Sequence, residues 1–314
     1  MPTSPGFSPP CRPRFATART PGAANLAEGI ARTAEVLGFR TSLGPGLMPW
    51  QREANELITE LDENGRLAHR QAIIEVMRQQ GKSVDVLSIM IARGLRRPNT
   101  QIAYTAQSGK DARHRLIDVW WPRIRKSKLA PLIDIRKASG SEALLFRNGS
   151  MLGLITADET SGHGENLDLG VIDEAWAQRD DRLEQAMRPA MMTRDAQLLI
   201  VSAAGNEKST YFQGKVFGAR ERLERGEPGG CYIGYSAPDD ADPGDPVTWR
   251  GCMPALGITV SEDVVAKDYA DMELSEFRRA YLCQWPEVAR PGWGVIGQDA
   301  WSAAAAPGEM NMSA

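Results

Sequence analysis

The sequence predicts an α/β fold built on a mostly parallel sheet flanked by helices, and three observations carry that expectation. Short apolar runs alternate along the chain with amphipathic stretches of helical length, the pattern of strands joined by crossover helices. The runs Ile73–Met77, Gln101–Ala106, Leu167–Ile172 and Gln197–Ser202 are nearly continuous in apolar residues, as expected of strands covered on both faces. Each is followed by a helical stretch: one through about Arg93, then about Ala112–Arg125, Asp180–Met187 and Thr210–Arg225.

Taken in order, residues 1–27 hold six prolines, three arginines (Arg12, Arg14, Arg19) and no acid. That composition predicts a disordered arm. Helical spacing begins at Asn25–Leu37, and Gly44-Pro45-Gly46 punctuates it. Residues 1–44 are therefore expected to form a flexible arm and helix, ahead of a core over 45–235. Within that core, Asn148-Gly149 between Ala143–Phe146 and Met151–Thr156 is a hairpin signal. At Ser236–Thr248 the texture changes to a proline-bearing acidic loop with Asp239, Asp240, Asp242 and Asp245. Helical patterns near Ser261–Met272 and Ser275–Cys283 then predict a small helical subdomain over 236–287, leaving 288–314 as a linker.

Charge and cysteine content narrow the function classes. A net charge of -3 excludes a globally basic nucleic-acid binder while leaving room for a local basic patch. Cys11, Cys231, Cys252 and Cys283 show no zinc-type spacing, which predicts reduced packing thiols. No run approaches the ~18 apolar residues of a membrane span, so no membrane partner is expected.

Gly81-Lys82-Ser83 follows the first buried strand and opens a helix. Phosphate binding needs that context, because the helix N-terminus presents N–H groups, lysine reaches the β/γ oxygens and the hydroxyl holds Mg²⁺. The full phosphate-loop pattern fails at its first position, where Val76 replaces glycine. Asp173-Glu174 ends the strand Leu167–Ile172; one acid there can hold the Mg²⁺ of a nucleotide and the next can polarise water. Ser202-Ala203-Ala204-Gly205 ends another strand and offers a small polar group beside a γ-phosphate, or simply a tight turn. Trp50-Gln51 precedes the first core strand, and a glutamine amide can read the edge of adenine.

From about Pro49 to Trp285 the chain resembles the ATPase domain of tailed-bacteriophage terminase large subunits, the motors that pump DNA into procapsids. Arg78-Gln79-Gln80-Gly81-Lys82-Ser83 is similar to that family's variant phosphate loop, in which an early arginine changes the usual spacing. Trp50-Gln51 resembles its adenine motif, Thr105-Ala106-Gln107 the end of its second core strand, and Ser202-Ala203-Ala204-Gly205 its coupling motif. The resemblance implies an ASCE or RecA-like P-loop fold with a helical lid. It implies ATP and Mg²⁺ as cofactors, with Lys82 and Ser83 on phosphate and metal, Asp173 ordering the metal shell, Glu174 as base and Arg78 supplying charge in cis. It also implies double-stranded DNA, a portal protein and a small terminase subunit as partners. The implied setting is the host cytoplasm, with docking at the procapsid portal vertex and a homo-oligomeric ring on assembly, against a monomer in isolation.

Two departures from the family pattern stand out. Beyond Val288 the chain offers only Asp299 and Glu309, too few carboxylates for the two-metal nuclease that follows in the family. Residues 288–314 are therefore expected to be a linker toward an absent nuclease domain, with no cleavage activity. Where some relatives carry a trans-acting arginine, this chain has Gly162-His163-Gly164, and Arg179 and Arg182 are the nearest alternatives. For DNA, Lys110–Lys137 holds nine Lys/Arg against three Asp/Glu with Trp120 and Trp121 interleaved; it is either a phosphate-tracking patch or a solvated face with inward tryptophans. A helicase-like ATPase and a non-hydrolysing nucleotide-binding scaffold are the alternative functions.

Overall fold

The computed structural model describes residues 11–155 and 166–286. Before the phosphate loop come β1 (Phe15–Ala16), α1 (Ala27–Val36), β2 (Arg40–Thr41), β3 (Gly44–Pro45), α2 (Pro49–Ile58) and β4 (Gln71–Glu75). Then follow α3 (Lys82–Arg96), β5 (Gln101–Thr105), α4 (Gly109–His114), α5 (Trp121–Lys126), β6 (Ile133–Arg136), β7 (Ala143–Phe146) and β8 (Met151–Leu154). The second half has β9 (Leu169–Asp173), α6 (Arg182–Ala190), β10 (Gln197–Ser202), α7 (Thr210–Arg225) and β11 (Cys231–Gly234). It closes with α8 (Pro246–Cys252), α9 (Glu262–Asp271) and α10 (Leu274–Leu282).

Nine strands form one sheet in the order β1-β11-β4-β10-β9-β5-β8-β7-β6. The six from β11 to β8 run parallel, and antiparallel strands finish both edges. Alternation along each strand feeds two cores. Ile74, Val171, Leu199 and Val201 face the side packed by α1, α2 and α3, while Ile73, Ile172, Leu198 and Ile200 face α6 and α7. Period-two side-chain direction therefore explains why these runs read as continuously apolar.

The Asn148-Gly149 hairpin forms as expected, with Gly149 at φ 83° and the Asn99 side chain where a Cβ would stand. The N-terminal segment departs from expectation. Residues 11–26 are not a loose arm, because Phe15–Ala16 pairs with β11, Thr17 N–H donates to Tyr232 O at 2.9 Å, and Arg14 donates to Ala237 O at 2.8 Å. A proline-rich segment can hold one short edge strand, where missing donors are tolerated. The pattern also left β6, β11 and α8 unassigned.

The three C-terminal helices pack Trp249, Val265, Phe277 and Leu282 into the α1–α3 side of the core. Among the described residues, no helix is long and apolar enough to cross a membrane.

Candidate active site

The turn after β4 brings the phosphate-loop residues to the head of α3. Gly81 sits at φ 87°, a backbone shape that favours glycine, and a Cβ there would have to displace the side-chain ends of Met48 and Gln51, 2.6 Å and 2.9 Å away. Val76, which replaces the expected first glycine, is buried and continues the strand by donating its N–H to Ser202 O at 3.0 Å. The loop therefore turns later, at Gln79 (φ 61°) and Gly81. Lys82 is buried at the first position of α3, with Nζ donating to the carbonyls of Val76 at 3.0 Å and Met77 at 2.8 Å. Ser83 follows it, half-buried.

Trp50 and Gln51 brace this loop from α2. Trp50 Nε1 donates to Gln80 O at 3.1 Å. Gln51, expected to read adenine, is only 1% exposed; it donates to Gly81 O at 2.9 Å and accepts the Met48 N–H at 2.7 Å. Its amide thus holds the loop from both ends in the nucleotide-free chain. From the opposite side, Ala255 N–H donates to Gln80 Oε1 at 2.7 Å and Arg78 N–H to Ala280 O at 3.3 Å. The helical C-terminal region therefore grips the loop directly.

At the end of β9, Asp173 is fully buried and Glu174 adopts a left-handed backbone, φ 53° and ψ 46°. That turn lifts Glu174 off the strand line and lets its N–H donate to Asp173 Oδ1 at 2.9 Å. Tyr104 OH donates to Asp173 Oδ2 at 3.0 Å, and Arg115 contacts the same oxygen. Arg115 also lies 3.6 Å from Glu174 Oε1. Burial pushes the Asp173 carboxyl upward, while the charges of Arg115 and Lys82 oppose that rise. Burial pulls the Arg115 guanidinium down, but Asp173, Tyr104 and Glu174 together outweigh it and hold Arg115 above its ordinary value. The pair is an ion pair.

Trp176 gathers the remaining parts. Its indole donates to Glu174 Oε2 at 2.9 Å and its backbone N–H to Ser202 Oγ at 3.0 Å. The Arg78 guanidinium stands 5.5 Å from its ring centroid and that of Arg279 stands 5.7 Å away, both within cation–π range. Arg279, from α10, also donates to Ala204 O at 3.2 Å. The Ser202 hydroxyl and the buried Ala203 and Ala204 thus touch the acid-bearing turn on one side and the C-terminal helices on the other.

Tyr104, Arg115, Trp176 and Arg279 were not singled out in the sequence. A tryptophan two residues past the acid pair was visible, but nothing local marks an arginine 58 residues before Asp173 as its partner. Arg179 is exposed on the turn leading to α6 and Arg182 is exposed at the first position of that helix, with Arg182 Nε 2.9 Å from Asp180 Oδ1. His163 lies outside the described residues. The basic stretch is thinner than its count, since Arg113 pairs with Glu142 at 2.8 Å, Arg123 covers the Phe39 ring and Trp120 is buried against Tyr104.

β10 lies between β4, which leads into Lys82, and β9, which ends in Asp173. A parallel α/β sheet with that inserted strand, a phosphate loop and an acid pair defines the ASCE class of P-loop ATPase folds. Residues 62–217 match the family described as terminase large subunit, ATPase domain. It is similar in fold to the HK97 bacteriophage large terminase, with a TM-score of 0.69 at 20% identity over 83% of this chain and 56% of that one. The chain thus spans little more than half the length of that protein. The ATPase domain of the Thermus phage P74-26 large terminase aligns at TM-score 0.49 and 16% identity, over 79% of this chain and 94% of that one. A large terminase from a thermophilic bacteriophage, in complex with ATP-γ-S, aligns at 0.47 and 13%, over 69% and 48%. No curated protein sequence matches the chain.

Proposed function

We propose that the chain is the motor part of a viral terminase large subunit, hydrolysing ATP to move double-stranded DNA into a procapsid. The observation that supports this reading is the strand order: β10 lies between β4, which leads into Lys82, and β9, which ends in Asp173.

In this reading the N–H groups opening α3 and the Lys82 ammonium receive the β/γ-phosphates, with Lys82 leaving the Val76 and Met77 carbonyls. Ser83 and Asp173 would hold Mg²⁺. The donor set fits, since one hydroxyl and one carboxylate suit a hard cation that keeps water and phosphate oxygens as its other ligands. Bound there, Mg²⁺ would neutralise charge on the β/γ oxygens. Glu174, aimed by the Trp176 indole, takes the proton of the attacking water. Arg78 supplies positive charge in cis, and the Ser202-Ala203-Ala204 segment carries the change toward Arg279 and the α8–α10 lid. Gln79 and Gln80 shape the loop rather than contact the base.

The domain division is part of the same proposal: 45–235 as the ATPase core and 236–287 as the lid. The partners are double-stranded DNA, a portal protein and a small terminase subunit. A homo-oligomeric ring would assemble at the portal vertex in the host cytoplasm. On the DNA side, Lys110, Arg125, Lys126 and Lys128 line α4, α5 and the turn after them, which supports a sequence-independent phosphate contact.

ATP turnover measured with double-stranded DNA, single-stranded DNA and no DNA tests the reading. Stimulation by the duplex is expected. Stronger stimulation by single strands would point to a helicase-like enzyme, and nucleotide binding without turnover under any condition would leave a scaffold.

A further inference from the structure

Arg115 opens a six-residue π turn, Arg115–Trp120, set between α4 and α5 in one continuous helix. Such turns are uncommon and concentrate at functional sites. Both ends of this one meet at Asp173. At its start the Arg115 guanidinium contacts Asp173 Oδ2 and lies 3.2 Å from Tyr104 OH. At its end Trp120 packs on the Tyr104 ring with centroids 4.8 Å apart, and Tyr104 donates to Asp173. The side chain of Asp173 is 0% exposed and that of Arg115 23%. The cation therefore reaches the carboxylate from the solvent side.

We propose that Arg115 is a positioning residue that holds Asp173 in the nucleotide-free chain and yields it to Mg²⁺, so that filling the site and releasing the π turn are one event. The proposal rests on the reading of Asp173 as a metal ligand and adds a competitor for it. Oδ2 already accepts from both Tyr104 and Arg115, and a guanidinium and a divalent cation on one carboxylate repel each other, so free energy in the Arg115 contact opposes cation binding. The contact also keeps the buried carboxylate paired when no cation is present, which a bare Asp173 could not sustain cheaply. Once freed, Arg115 no longer pins the start of the π turn, and Trp120 and Tyr104 are left to repack together.

The test is a Mg²⁺ titration of fluorescent ATP-analogue binding to the full chain, with the parent, Arg115→Gln, Arg115→Lys and Asp173→Asn, each checked for folding by thermal melting. Arg115→Gln should lower the Mg²⁺ concentration for half-maximal binding on the order of tenfold, within the usual range for coupled sites. Arg115→Lys, a point charge without the planar fork, should shift it less and in the same direction, and it carries the test should Arg115→Gln not fold. A midpoint that stays at the parent value or rises in a folded Arg115 variant overturns the proposal. The underlying reading fails separately: if Asp173→Asn keeps the parent Mg²⁺ dependence, Asp173 is no metal ligand. A second readout is Trp120→Phe, whose difference in fluorescence from the parent should change when Mg²⁺ and ATP are added together. An unchanged difference would mean that the π turn does not follow the site.

Discussion

The Trp285 indole donates to Glu75 Oε1 at 2.6 Å, joining the segment after α10 to β4, the strand that leads into Gly81-Lys82-Ser83. Glu75 is fully buried, and its other oxygen accepts from Tyr232 OH at 2.5 Å and from Arg220 at 2.8 Å. Burial would lower the Arg220 guanidinium, but Glu75 holds it above its ordinary value. Glu75→Ala strands that charge, so a loss of about 3–5 kcal/mol is expected. Trp285→Phe keeps a ring against Phe212 and Phe217 but loses the donor, at about 1.5–3 kcal/mol. Chemical denaturation of both single variants and the double variant checks this. The double variant should lose less than the sum, because the two residues share one bond.

The Trp176 indole fixes the Glu174 carboxylate, so the acid is positioned before substrate arrives. Glu174→Gln keeps shape and bonding capacity but removes the base, and turnover should fall ~10²–10⁴-fold with nucleotide affinity largely kept. Lys82→Ala should act on binding instead. Parent-rate hydrolysis by Glu174→Gln would take the base away from this residue. Trp176→Phe offers an internal control: it retains the ring between Arg78 and Arg279 but not the N–H, so turnover should fall less than in Glu174→Gln.

How much of this was readable in the sequence depends on the distance between partners. The strands β4, β5, β9 and β10 were legible because burial on both faces leaves long apolar runs. Gly81-Lys82-Ser83 and Asp173-Glu174 were legible because their chemistry is confined to adjacent residues at strand ends. Arg115 was counted as part of a basic surface stretch, since linear spacing does not tell an inward guanidinium from a solvated one. The bond from Gln51 to the Gly81 carbonyl, 30 residues away, was illegible for a related reason: nothing local marks that carbonyl as a partner. Two-residue β1 has too few positions to show any period, so only its pairing with β11 reveals it.

Asp85 gives a pH prediction. It lies in the first turn of α3, fully enclosed, with Oδ1 accepting from Asn55 Nδ2 at 2.7 Å and Oδ2 without a partner. Burial pushes its carboxyl up to about 7, against the lowering effect of the Asn55 bond. An unfolded aspartate titrates near ~3.9. The folded chain therefore binds the extra proton between those values, and this group's contribution to stability is full below about pH 4 and is lost as pH rises through about 7. Asp85→Asn keeps an acceptor for Asn55 and removes the charge. Denaturation curves across that window should become flatter for the variant, and above about pH 8 it should be the more stable chain. A variant whose pH profile parallels the parent would show that Asp85 does not titrate there.

The trans-acting charge is the last expectation. In the proposed ring, a neighbouring subunit would supply a guanidinium to the γ-phosphate, worth ~10³–10⁵ in rate. Arg78 is held over Trp176 within its own chain, so it is not placed to serve a neighbour. Arg179 and Arg182 lie a few residues past the acid pair. Arg182 is engaged by Asp180, with Nε 2.9 Å and 3.0 Å from its two oxygens, but both side chains of that pair are exposed and such pairs are weak enough to exchange partners. Turnover per chain should therefore rise with protein concentration or on portal docking. Glu174→Gln chains bind nucleotide and can donate an arginine, while Arg182→Ala chains keep the base and lack the donor. Mixing the two inactive variants should restore turnover if Arg182 acts across the interface, and the same experiment with Arg179→Ala assigns the role to the other position. Turnover that is independent of concentration, with no recovery from either mixture, would mean that each chain completes its own site.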